Sequence, residues 1–201
     1  MLKTSLTTLL TGSLLAVSSF SLAANLVVGE KIPPFNVADK GECVLKADDT
    51  DFIPWSTDAL KGSVQVVEYV AARAGIDDID RAFFTALEQA NFTAGQIAIT
   101  KLVNSDDAMW GTSGLVAGEI RKNKKKEPSV RLVVDAEGVG QQQWELTKKN
   151  AALAILDANG KVLFFKEGGP DAEEIQQMIE LIKQQLKPAT PGNLSVSSLT
   201  Q

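Results

Sequence analysis

Val64-Gln65-Val66-Val67-Glu68-Tyr69-Val70 decides the fold of this chain. Only Gln65 and Glu68 break the run of apolar residues, the pattern of a strand with helices over both faces of its sheet. It leads straight into Ala71-Ala72-Arg73-Ala74-Gly75 and then into helical periodicity. In a chain of this pattern that junction is the usual place for chemistry, and here it carries no Cys, Ser or His. Side chains alternate along a strand, so Val64, Val66, Glu68 and Val70 share one face, and Gln65, Val67 and Tyr69 the other. Glu68 therefore needs the strand's solvent exit or a partner, and Arg73 is the nearest cation downstream.

Beyond the junction, Asp77 and Asp78 suit the start of a helix, where carboxylates favour the positive pole of the dipole. Ile79, Ala82, Phe83, Ala86, Leu87 and Ala90 then recur at helical spacing as one apolar stripe. Residues 96–103 read as a second strand, giving a β-α-β unit with parallel strands and a right-handed crossover. A weaker helix spans about 113–124 and ends in the basic run Arg121-Lys122-Asn123-Lys124-Lys125-Lys126. That run is read as a solvated helix end whose cations suit the negative pole, in preference to a phosphate or lipid patch. Residues 130–134 form a strand that closes on Asp135-Ala136-Glu137-Gly138, and the stretch 141–146 gives no clear pattern. Two strands, 151–156 and 161–165, flank Asp157-Ala158-Asn159-Gly160, the strongest hairpin signal present. A last helix covers about 171–186, with Ile175, Met178, Ile179, Ile182 and Leu186 on one face.

Upstream, Phe35-Asn36-Val37 and Cys43-Val44-Leu45 flank Asp39-Lys40-Gly41, which predicts a hairpin turning at the glycine. Residues 56–62 predict a turn or single helical turn before the central strand. Before Glu30 the only charged residue is Lys3, and the apolar stretch around Leu9 to Val17 precedes Ser21-Leu22-Ala23, a small-x-small cleavage pattern. Residues 1–23 are read as a secretory signal peptide, which places the mature protein in the periplasm with no stable membrane span. The expected organisation is thus a leader (1–23), one domain (24–187), and a Pro- and Ser-rich disordered tail (188–201).

The chain has 201 residues and a net charge of −5. Its acidity argues against nucleic acid, whose binding is dominated by cations set against phosphates. It contains no histidine. Ser-His-Asp and Cys-His catalysis, His-ligated zinc or haem, and imidazole pH switching are therefore excluded within this chain. The single cysteine, Cys43, has no partner for an intramolecular disulfide.

The order hairpin, β-α-β, helix, strand, hairpin, helix resembles a thioredoxin-like domain with the N-terminal extension of exported thiol reductases and peroxiredoxins. Gly29-Glu30-Lys31-Ile32-Pro33-Pro34-Phe35 is similar to their G-x-x-x-P-x-F opening, and Leu60-Lys61-Gly62 to their lead-in to the central strand. More closely, Val103-Asn104-Ser105-Asp106-Asp107-Ala108, Val134-Asp135-x-x-Gly138-Val139 and Trp144-x-Leu146 resemble the YtfJ family of small exported bacterial proteins. That resemblance implies an α/β, thioredoxin-like three-layer sandwich with a mixed central sheet and an N-terminal β-hairpin extension. It also exposes a departure from the redox members. A C-x-x-C pair would fall near Ala74 and Asp77, and neither is cysteine. The loop where those enzymes hold a cis-proline is Lys148-Lys149-Asn150. Dithiol exchange needs an activated thiolate and a resolving thiol, so chemistry of that kind is not expected.

For the remaining candidates, Cys43 sits away from the strand-to-helix junction and is read by default as an inert, partly buried thiol. Asp48, Asp49 and Asp51 look like a calcium loop, but the required Gly and Glu are replaced by Ile53 and Ala59, and no metal or cofactor is expected. Gly111-Thr112-Ser113-Gly114 lacks the spacing and lysine of a P-loop. In such a sheet a ligand sits beyond the carboxyl ends of the parallel strands. Arg73, Asp106, Asp107 and Asn150 are therefore the expected ligand-binding residues. The expected function is a non-redox binding or interaction module for an envelope protein or small molecule. The alternatives are a thiol-dependent redox or peroxidase enzyme using Cys43, and an adaptor docking through exposed Trp110 or Trp144.

Overall fold

The computed structural model describes residues 25–47, 49–76, 78–108 and 113–187. The expected leader and tail, and Asp48, Asp77, Trp110, Gly111 and Thr112, lie outside them. The elements are β1 (Asn36–Lys46), β2 (Asp49–Ser56), a 3₁₀ turn (Thr57–Leu60), β3 (Val64–Ala71), α1 (Arg81–Gln89), β4 (Ile97–Asn104), α2 (Ser113–Lys126), β5 (Arg131–Asp135), α3 (Val139–Gln143), β6 (Ala151–Leu156), β7 (Val162–Glu167) and α4 (Ala172–Leu186). The seven strands form one sheet in the order β2-β1-β5-β4-β3-β6-β7. β3, β4 and β5 run parallel, and the remaining pairings are antiparallel.

Every residue of β3 is buried, as a valine-rich central strand covered on both faces requires. Its alternation separates two cores. Val64 and Val66 pack with Phe83 and Leu87 of α1 and Met178, Ile179 and Ile182 of α4. Val67 and Tyr69 face Leu26, Phe35, Trp55, Trp144 and the 3₁₀ residue Leu60. A third cluster beneath α2 joins Ile120 to Cys43, Leu132 and Val134.

Two expectations about local structure change. Asp39-Lys40-Gly41 is not a hairpin turn, because residues 36–46 form one continuous strand and the reversal into β2 follows Lys46. At Lys40 and Gly41 the backbone takes positive φ values of 62° and 77°, and the register against β2 shifts between Val37 and Glu42. This bulge lets β1 pair with β2 on one side and, through Lys40 to Cys43, with β5 on the other. A turn signal and a bulge signal look alike in sequence, since both ask for a left-handed residue. The second change is at α1, which begins at Arg81 with Asp80 as N-cap. Asp78 instead pairs with Arg81 at the surface.

The strands at 97–104 and 131–135, the 157–160 hairpin and the last helix form where expected. α4 opens on a capping box in which the Asp171 carboxylate accepts from the Glu174 N–H and the Glu174 carboxylate from the Asp171 N–H. The basic end of α2 is solvated at Lys122, Asn123, Lys125 and Lys126, as expected, but two of its cations fasten the helix. Lys124 is buried, its Nζ donating to the carbonyls of Pro128 and Val130 at 2.9 and 2.8 Å. Arg121 donates to the Thr50 carbonyl and hydroxyl and lies over the Phe52 ring, tying α2 to the β1–β2 ribbon. Those cations are spent on the fold.

Candidate functional site

The carboxyl ends of β3, β4 and β5 meet in one edge, and hydrogen bonds join the loops there. Asn104 ends β4, fully buried, and its Oδ1 accepts from the N–H groups of Asp106 and Asp107 at 3.0 and 3.3 Å. That local bond turns the chain sharply, an Asn side chain standing in for a backbone carbonyl. The turn presents the Asp107 carbonyl to the Arg73 Nε at 2.8 Å and the Asp107 carboxylate to the Lys149 N–H at 2.8 Å. The Ala71 N–H donates to the Asn150 carbonyl at 3.1 Å, and the Ala72 N–H to the Asn104 carbonyl at 2.9 Å. Arg73, Asp107 and Asn150 are thus brought together, all half-buried, while Asp106 stands exposed beside them.

Arg73 is therefore not the partner of Glu68. That partner is Lys101, the register neighbour of Glu68 on β4, with Nζ 3.0 Å from the carboxylate. Sequence distance favoured Arg73, but register decides, because parallel pairing places residue 101 directly beside residue 68.

Beneath the edge lies a group that the sequence reading missed. Tyr69, the only tyrosine of the chain, donates its hydroxyl to the Asp135 Oδ2 at 2.7 Å. Asp135, at the end of β5 and fully buried, also accepts from the N–H groups of Val139 at 2.9 Å and Gly140 at 2.7 Å. The Tyr69 oxygen in turn accepts from the Gln141 N–H at 2.9 Å. Burial, and then the adjacent Asp135 charge, raise the Tyr69 phenol above its ordinary pKa, so it stays a neutral donor. The first turn of α3 and the strand ends are locked around one carboxylate. The signal was present in Val134-Asp135-x-x-Gly138, but nothing in it points to a tyrosine 66 residues upstream.

The cavity bounded by Tyr69, Asp107, Gln141, Asn150 and Glu167 holds about 10 Å³, room for about one water. A larger cleft of about 680 Å³ lies between α1 and the segment following α2, floored by Ile97, Ile99 and Lys101 of β4. Cys43 belongs to neither. It is fully buried under α2, and burial pushes its thiol up despite the Thr50 hydroxyl and the nearby Arg121 and Lys124 charges. Trp144 does not offer an exposed docking side chain: it is 1% exposed, with Nε1 donating to the Pro33 carbonyl at 2.9 Å. Asp49 and Asp51 face Lys125 and Lys46, and no cluster able to hold a metal ion occurs among the described residues. No cis peptide bond occurs among them either, and no helix there is long and apolar enough to cross a membrane.

This arrangement is that of a thioredoxin-like domain with an edge that carries no thiol pair. Among solved structures it is similar to a protein assigned as the thiol:disulfide interchange protein DsbE from Chlorobium tepidum, with a TM-score of 0.54 at 19% identity over 81% of this chain and 99% of that one. It is also similar to the reduced 2-Cys peroxiredoxin of Plasmodium vivax, with a TM-score of 0.50 at 14% identity over 78% and 96% of the two chains. Likenesses at these identities establish the fold. The chain belongs to the YtfJ family, whose model, described as a bacterial protein of unknown function (YtfJ_HI0045), matches residues 26–185. It is 31% identical over 159 residues to the uncharacterized protein YtfJ of Escherichia coli (strain K12), covering 79% of this chain and 86% of that one. It is 33% identical over 165 residues to an uncharacterized protein of Haemophilus influenzae, covering 82% and 90%.

Proposed function

We propose that the protein is an exported, periplasmic binding or interaction module that keeps the thioredoxin-like scaffold and works without a dithiol centre. Its ligand is an envelope protein or small molecule met at the edge that carries Arg73, Asp106, Asp107 and Asn150. The observation behind this reading is the cross-linking of that edge. The Asp107 carbonyl and carboxylate hold both Arg73 and the Lys149 loop, so the recognition surface is arranged before a ligand arrives. Arg73 commits only its Nε to the protein, and its terminal nitrogens have no protein partner among the described residues, which suits a carboxylate or phosphate on the ligand. Export is supported by the leader pattern of residues 1–23.

A thiol enzyme built on Cys43 has less support, because nucleophilic cysteines need access and a lowered pKa, and this one has neither. The test is turnover of insulin disulfides and of hydrogen peroxide by the mature protein and by Cys43→Ser. Neither protein is expected to turn over; activity lost in the variant would make Cys43 catalytic and end the binding-module reading. Capture from envelope extract then compares wild type with Arg73→Ala. A ligand retained by the first and lost by the second is the expected result, and equal retention moves the site elsewhere. Fractionation of cells expressing the chain with and without residues 1–23 checks the compartment.

A further inference from the structure

Asp80 is a carboxyl group placed at a cost. It is completely buried, and neither oxygen of its carboxyl group has a hydrogen-bond partner among the described residues. As the N-cap of α1 it would ordinarily accept from an N–H of the first turn, as Asp171 does for α4, yet it makes no such bond. The charged groups that act on it are Glu68 of β3 and Lys101 of β4. Glu68 is itself 3% exposed and already holds Lys101, whose ammonium also lies 3.9 Å from the centre of the Phe84 ring of α1. The charges on either side of Asp80 in sequence are occupied elsewhere, Asp78 and Arg81 pairing with each other at the surface. On the α4 side Lys166 pairs with Glu174. The cation that acts on Asp80 is therefore already held by a second buried carboxyl group, and an ionised carboxylate without partners is among the most costly groups to bury.

We propose that Asp80, Glu68 and Lys101 form a proton-operated latch at the start of α1. With a proton on Asp80, α1 closes down on the Glu68–Lys101 pair. When the proton leaves to solvent, two carboxylates compete for one ammonium, and the first turn of α1 opens to water. This device stands whether or not the neighbouring edge binds a ligand.

Burial, and then the Glu68 charge, push the Asp80 carboxyl up to about 7, with Lys101 pulling the other way. The closed form thus holds a proton that the open form, with an ordinary carboxyl, has released. Closure is strongest below the ordinary carboxylate value of 3.8, weakens as pH rises toward about 7, and is level above it.

The test uses the full mature chain and two readings from pH 4 to pH 8: the Asp80 carboxyl carbon shift by NMR, and amide exchange of residues 78–84 corrected for its intrinsic pH dependence. The carbon shift should titrate well above the ordinary carboxylate range. Protection should fall by up to about tenfold per pH unit up to the Asp80 midpoint and then stay level. In Asp80→Asn, which keeps the shape and loses the charge, protection should be flat with pH. In Glu68→Gln, which frees Lys101 for Asp80, the midpoint should move down. An Asp80 that titrates in the ordinary range, flat protection in wild type, or an Asp80→Asn variant with the wild-type slope each overturns the latch. The carbon shift and the Glu68→Gln variant decide the matter even if Asp80→Asn does not fold.

Discussion

Asp135 shows how much one buried carboxylate can organise when both of its oxygens are engaged. Its carboxylate takes the Tyr69 hydroxyl and two N–H groups of α3, so the strand end, the helix start and the central strand share one anchor. Tyr69→Phe removes one donor to Asp135 and leaves the buried Gln141 N–H without its acceptor. A loss of about 1 to 3 kcal/mol in urea unfolding is expected, the range for a buried hydrogen bond with one partner deleted. An unchanged midpoint would mean that water replaces the hydroxyl and the anchor is weaker than its geometry suggests. At this scale the sequence was least informative. It showed at once which groups are missing, since absent cysteines and histidines need no fold to interpret. It could not show which present groups meet: Tyr69 with Asp135, or Glu68 with Lys101, become neighbours only through strand register. That Arg73, Asp107 and Asn150 gather at one edge was legible from position in the fold, since it needed only the strand ends.

Elements were more legible where one physical cause dominated. The near-continuous apolar run of β3, the Asp-Ala-Asn-Gly turn and the apolar stripe of α4 each point one way, and each formed as expected. β1 misled because its left-handed residues signal a turn as readily as a bulge. The bulge has a specific requirement. A Cβ placed on Gly41 would lie 2.2 Å from the Ile53 carbonyl oxygen, and the φ of +77° is one that L side chains resist. Gly41→Ala must therefore shift the ribbon backbone, at an expected cost of about 2 to 3 kcal/mol in chemical denaturation. The α3 helix, unread in the sequence, depends on a glycine of another kind. Gly140 lets the helix approach the rings of Tyr69 and Phe35, which a Cβ would meet at 2.6 and 2.7 Å.

At the scale of the whole molecule, one sheet carries two cores with different work. The core shared by α1 and α4 sets four phenylalanines, two of them buried, among aliphatic residues, whereas the opposite one gathers Phe35, Trp55, Tyr69 and Trp144 edge to face, with centroids 4.9 to 5.9 Å apart. Trp144 sits between the Phe35 and Tyr69 rings and ties α3 to the N-terminal segment through Pro33. Trp144→Ala should cost about 3 to 5 kcal/mol, read as a lower thermal midpoint, and a near-neutral result would show that α3 holds without it. Across the sheet, β1 is joined to β2 by its own hairpin but to β5 by a ladder that brings Gly41 beside Val134. During synthesis the N-terminal ribbon therefore waits, one side bare, until the chain has grown past residue 135. High contact order slows folding, and an unpaired strand edge is the form in which chains associate with one another. The interval before that ladder closes is when a newly made chain is most open to pairing with another copy of itself.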